Sequence, residues 1–135
     1  MFLLDTNVVS ELMKLKPDPQ VNLWLKEHDR NEVFISVVTV GEIVYGFHRM
    51  PEGERKTRLN DWFEIDFMEW IQSRIFPIGE SIMREWARIT ATSRPLPRMD
   101  SLLAATAIAA DATIVTRNTK DFTGVEGLKL VNPWK

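Results

Sequence analysis

The chain has no cysteine, which excludes disulfides and thiolate metal sites. Its two histidines, His28 and His48, have no short metal-ligand spacing between them, so a histidine-based zinc site is not expected either. No apolar run approaches the roughly 20 residues that a membrane span requires. Met1-Phe2-Leu3-Leu4 meets an acid at once, without a basic leader or a long hydrophobic stretch. The expectation is a protein with no signal peptide and no membrane partner, at work in the cytoplasm. A surplus of positive charge is missing too: 17 Lys and Arg stand against 19 Asp and Glu, for a net charge of -2. Dedicated nucleic-acid binders usually read basic overall. Repeats, low-complexity tracts and linkers are also lacking.

What remains is ordinary globular material: 135 residues, 44% hydrophobic and 27% charged, enough for one domain over residues 1–135 with a real core. Strand and helix patterns alternate, which favours an α/β fold with a mainly parallel sheet. Strands are expected at residues 2–4, 33–36, 75–78, 113–116 and 128–131, five in all. Pro77 marks the third as an edge strand. Helices are expected at residues 7–15, after Pro19, at 38–50, from Glu54 through Trp62 and Phe63, around Ile82, Trp86 and Ile89, and at 101–110. Arg94-Pro95-Leu96-Pro97 turns the chain between the last two.

Four acids fall where an apolar run gives way to a helix start or turn. Asp5 follows Phe2-Leu3-Leu4, and Glu42 comes shortly after Val33-Phe34-Ile35. Asp100 opens Ser101-Leu102-Leu103-Ala104-Ala105, and Asp121 follows Thr113-Ile114-Val115-Thr116. In an open parallel sheet, strand ends and the helix starts after them form one rim, where ligands bind. Four carboxylates from distant parts of the chain can thus meet at one point.

Each acid also has a purely structural explanation. Asp5 and Asp100 suit the N-cap of the helices they precede. Thr39-Val40-Gly41-Glu42 matches a capping box, and Asp121 sits in the turn-like Asn118-Thr119-Lys120-Asp121. Caps and turns account for single residues, but not for four acids at one rim. Two unit charges ~4 Å apart repel by about 4 kcal/mol at an effective dielectric near 20. Protonation or a bound cation must relieve that repulsion, and carboxylate oxygens suit Mg²⁺ or Mn²⁺. Such a cation acidifies water and stabilises charge developing at phosphorus.

The neighbours of the acids fit the same reading. Thr6, Asn7, Thr116 and Asn118 are placed to orient carboxylates from a second layer, whereas Ser10 reads better as a local backbone partner. Arg94, Arg98, Arg117 and Lys120 are candidate contacts for the phosphates of a polyanion held beside a metal, with solvated loop charge as the plain alternative. Residues 38–70 carry Tyr45, Phe47, Met50, Trp62, Phe63, Phe67, Met68 and Trp70. Most belong in the core of a helix pair, and exposed members would serve a dimer seam or a partner's helix. Gly46 in mid-helix costs about 1 kcal/mol relative to Ala, and close helix approach is one reason for it.

Together these motifs resemble those of a known family. Phe2-Leu3-Leu4-Asp5-Thr6-Asn7 and Gly41-Glu42-Ile43-Val44-Tyr45-Gly46 are similar to the first two motifs of PIN-domain ribonucleases. Residues 100–107 and 115–122 are similar to the third and fourth. The likeness covers nearly the whole chain and is greatest to VapC-type toxins of bacterial toxin–antitoxin pairs, including the FitB-like branch. It implies a three-layer α/β/α sandwich, with Asp5, Glu42, Asp100 and Asp121 as catalytic and metal-binding residues around Mg²⁺ or Mn²⁺. It also implies RNA endonuclease activity, homodimerisation, and inhibition by a VapB-like antitoxin whose tail occupies the cleft. Asn118 is an alternative fourth ligand, because the last acid of this family varies in position.

Two other readings compete. One keeps the fold as a catalytically silent module that binds RNA or a partner. The other makes Asp5 a phosphoryl-accepting nucleophile, although the second Asp expected two positions on is Asn7 here.

Overall fold

The computed structural model describes all of residues 1–135. Its centre is a five-stranded sheet formed by β1 (Phe2–Leu4), β2 (Val33–Ser36), β3 (Ile75–Phe76), β4 (Thr113–Val115) and β5 (Lys129–Val131). The spatial order is β3-β2-β1-β4-β5, and every pairing is parallel. The edge position expected for the third strand is met.

Helices cover both faces: α1 (Thr6–Leu12), α2 (Pro19–Lys26), α3 (Val37–Arg49), α4 (Glu54–Asp61), α5 (Met68–Ile71), α6 (Glu80–Thr92) and α7 (Arg98–Ala109). Short β-strands buried on both faces read as continuous apolar runs, and alternate residues feed opposite layers. Leu4 and Val115 pack with Val8, Ile35, Phe47 and Phe63 on one side. Leu3 and Ile114 pack with Ile82, Ile89, Leu103 and Phe122 on the other. Two cores divided by one sheet make the three-layer α/β/α sandwich.

Some boundaries differ from expectation, each for a visible reason. α1 stops at Leu12, where the backbone N–H of Met13 turns back onto Val9, Ser10 and Glu11. Between α4 and α5 the helix widens into a π-helical segment over Trp62–Phe67, which a regular helical period does not reveal. Phe63 and Phe67 are both buried there, with stacked rings 5.6 Å apart.

The capping-box reading of Thr39 and Glu42 is overturned. α3 starts earlier, at Val37, because Ser36 is its N-cap and its hydroxyl accepts the Val38 N–H. Asp100 is likewise not an N-cap: α7 begins at Arg98 behind Pro97, which leaves Asp100 inside the first turn. Nor is close helix approach the reason for Gly46, since a Cβ built there meets nothing within 4 Å.

Candidate functional site

The strand order reverses around β1, with β2 on one side and β4 on the other. Ligands bind at such a switch point, outside the carboxyl ends of the strands. A cleft of about 450 Å³ opens there, and Asp5, Glu42 and Asp100 all line it.

Asp5 follows β1 directly and caps α1, its Oδ1 accepting the Thr6 N–H at 2.7 Å. Its Oδ2 accepts from the Thr116 hydroxyl at 2.8 Å and from Asn7 Nδ2 at 3.2 Å. Asn7 Nδ2 also donates to Thr116 Oγ1, which accepts the Asn118 N–H as well. The cap is real and so is the convergence: one carboxylate serves both. Asp5 is only 8% exposed. Burial raises its pKa against the pull of these hydrogen bonds, and the nearby Asp121 charge adds to the rise.

Glu42 enters from the second turn of α3, and its Oε1 accepts the Thr6 hydroxyl at 2.6 Å. Asp100 is brought to the rim because α7 runs back along the sheet and begins at the end where β1 and β2 finish. Its pKa is raised to about 6, first by burial and then by Asp5, Glu42 and Asp121. A carboxylate near a helix N-terminus is otherwise favoured, so the upward shift measures how strongly burial and the other acids prevail.

Asp121 stands apart. It is exposed on the 3-10 turn Thr119–Phe122 and does not line the cleft, although its charge reaches Asp5 and Asp100. Asn118 does line the cleft. No three Asp, Glu or His side chains stand close enough together to hold one ion as a set. The four acids share an electrostatic field without forming a closed cage. In donor chemistry they suit a hard divalent cation, and Asp5, Glu42 and Asp100, which share the cleft, are the ones placed to hold it.

The candidate phosphate contacts divide. Arg94 is engaged elsewhere, its guanidinium donating to the carbonyls of Thr123 at 2.9 Å, Asp121 at 2.6 Å and Lys120 at 3.2 Å. It clamps the turn that carries Asp121. Arg98 and Lys120 are exposed outside the cleft lining, while Arg117 is within it.

Three further residues of the lining escaped the sequence reading: Glu11, Lys14 and Trp134. Glu11 is 6% exposed and accepts from Lys14 Nζ and from the Asp18 N–H, each at 2.9 Å. Burial would raise its pKa, but those bonds together with the Lys14 and Arg117 charges bring it below the usual value. Asn7 and Glu11 fall at i and i+4, a signal available once a helix starts at Asp5, whereas Lys14 lies past the end of α1. Trp134 had no such signal.

A parallel α/β/α sandwich with acids gathered at its switch point is the architecture of a PIN domain, and the PIN-domain model matches residues 2–128. The chain belongs to that family. It is 32% identical to the VapC ribonuclease Y4jK of Sinorhizobium fredii, over 100% of this chain and 99% of that protein. It is 30% identical to Toxin FitB of Neisseria gonorrhoeae, over 99% of each. Among solved structures, FitAB bound to the IR36 DNA fragment superposes with a TM-score of 0.92 at 30% identity, covering 100% of this chain and 96% of that one. The fold expectation and the family resemblance both hold.

Proposed function

We propose that this chain is a Mg²⁺- or Mn²⁺-dependent endoribonuclease, the toxin of a toxin–antitoxin pair, which hydrolyses RNA phosphodiester bonds in the cytoplasm. The observation that carries the reading is the convergence of Asp5, Glu42 and Asp100, from three separate chain segments, on one cleft at the switch point of the sheet. Similarity to a VapC ribonuclease and to Toxin FitB supports the same activity.

Asp5, Glu42 and Asp100 would hold the cation, with Asp121 or Asn118 completing its surroundings. When bound, the cation supplies a lowered water pKa and charge stabilisation at phosphorus. The chain's own groups do the rest. Asp5 is held rigid by Thr6, Asn7 and Thr116, so its oxygens need no reorganisation when substrate arrives. Thr6 fixes one oxygen of Glu42 and leaves the other free. Asp100, whose carboxyl burial and the neighbouring acids hold above its usual pKa, is the group whose charge a bound cation would relieve most. Arg117 at the cleft, and Arg98 and Lys120 outside it, offset the negative charge of approaching RNA.

A second opening of about 510 Å³ adjoins the cleft and shares Thr6, Ser10, Lys14 and Glu42 with it. Ile43, Phe47 and Leu59 line it with Gly46, and Arg55 and Arg58 stand beside them. An apolar groove leading to the acids suits an amphipathic segment of an antitoxin that blocks the site. The FitAB likeness supports such a partner. Homodimerisation belongs to the same reading.

The test is cleavage of total RNA by metal-stripped protein, with Mg²⁺ or Mn²⁺ restored, beside Asp5→Asn. Discrete metal-dependent products absent from the variant are expected. The open spacing of the acids favours the second reading, a silent RNA- or partner-binding module. Folded protein that binds the metal yet cleaves nothing would support that reading instead.

A further inference from the structure

The acid floor of the cleft repels a polyanion, so any grip on RNA must come from its walls. The cleft lining includes Lys14, Arg117 and Trp134, and the Arg117 charge reaches Glu11, the partner of Lys14. Lys14 is tethered to buried Glu11 at 2.9 Å, yet its side chain remains 60% exposed. An ammonium has three donors, which leaves two after that bond. Arg117 is exposed and lies over the Trp134 ring, 5.2 Å from its centroid.

Trp134 is held in place from several directions. Its backbone N–H donates to Asn132 Oδ1 at 2.9 Å, and its ring packs against the core on the α1 side of the sheet. The half-buried ring is thus set in advance, with little rotamer freedom left to lose on binding. A guanidinium lying over an aromatic ring offers its outer plane to an unstacked base, and such stacking is sequence-tolerant because every base has a π-face. A base within a duplex cannot reach it without being splayed out.

We infer that Trp134 and Arg117 form a base-stacking subsite for a nucleotide next to the cut, with Lys14 holding its phosphate, so that the substrate strand is single-stranded there. This rests on the ribonuclease reading above and adds to it where the flanking nucleotide sits.

The test is binding of a fluorescein-labelled single-stranded RNA oligonucleotide, followed by anisotropy, in an Asp5→Asn background that prevents cleavage. Trp134→Leu should weaken binding roughly tenfold or more without changing its salt dependence. Trp134→Phe should restore most of the loss. Lys14→Gln should instead lower the slope of log K against log salt by about 0.7, the loss of one phosphate contact. The same oligonucleotide annealed to its complement should bind more weakly than the single strand. Unchanged binding by Trp134→Leu would overturn the subsite alone, provided that the parent binds. Equal losses in the Leu and Phe variants, with a lowered melting temperature, would also overturn it, because Trp134 would then be a structural post. A folded parent that binds no RNA in any form would bring down the ribonuclease reading together with the subsite.

Discussion

The Thr6 hydroxyl donates a 2.6 Å hydrogen bond to Glu42 Oε1, joining the first turn of α1 to the second turn of α3 across 36 residues of sequence. Thr6 also gives its backbone N–H to Asp5 at 2.7 Å. A single residue therefore orients two of the cleft's carboxylates.

Thr6→Val should remove the bond to Glu42 while leaving the backbone bond to Asp5 in place. Partners that orient ligating groups are typically worth 10–100-fold in activity or metal affinity. We expect a loss of about that size in metal-dependent RNA cleavage, with the melting temperature little changed. Thr6→Ser should keep most of the activity. Wild-type cleavage by Thr6→Val would show that Glu42 needs no such anchor.

Asp100 links the site to pH. Its pKa is raised, to about 6, above the ordinary 3.8. The favourable contribution of a group shifted in this direction is complete below about 3.8 and is lost as pH rises through about 6. Without metal, Asp100→Asn should therefore stabilise the fold at pH 7, by about 1–2 kcal/mol after allowance for solvent screening at this half-buried position. That advantage should shrink toward pH 4. Urea unfolding of both proteins across this range is the measurement, and a variant less stable than wild type at pH 7 would contradict the proposed repulsion.

Metal should act in the opposite sense on the wild type. A cation that binds only the folded state stabilises it by about 2.7 kcal/mol at a concentration 100 times Kd. Mg²⁺ or Mn²⁺ should thus raise the melting temperature of the wild type and have little effect on an Asp5→Asn, Asp100→Asn double variant. Equal shifts in the two proteins would place the bound ion away from these acids.

Arg94 bridges the proline-rich turn before α7 and the turn that bears Asp121. Arg94→Ala removes the three charge-assisted bonds to carbonyls of the Asp121-bearing turn, which should cost about 1–3 kcal/mol of stability. Arg94→Lys should not restore it, because an ammonium lacks the planar fork that spans several carbonyls. Guanidinium chloride unfolding of the three proteins would decide the matter.

Gly46 lines the groove beside the cleft, and a Cβ placed there meets no other atom within 4 Å. Gly46→Ala should stabilise α3 by up to about 1 kcal/mol. Gly46→Trp should fill the groove, leaving RNA cleavage intact but preventing inhibition by the antitoxin. Persistent inhibition of the Trp variant would move the antitoxin's seat elsewhere.

Local chemistry alone determined much of this protein. Short apolar runs punctuated by Pro and Gly specified five strands, and helical periods between them specified a parallel sheet covered on both faces. The acids Asp5, Glu42, Asp100 and Asp121 were legible because each interrupts such a run. Pattern could not decide the helix starts: Ser36 and Pro97, and not Thr39 and Asp100, set the beginnings of α3 and α7. Nor does a pattern contain the distances that turn four acids into one electrostatic unit, set three of them in the cleft and leave Asp121 at its margin. Those depend on crossovers that carry the chain between β2, β3 and β4, and small differences in helix start decide which face a carboxylate meets. Trp134 is the plainest case. Nothing near it in the sequence marks it for function, because its partner Arg117 belongs to another segment, and only the parallel pairing of β5 beside β4 delivers it to the cleft.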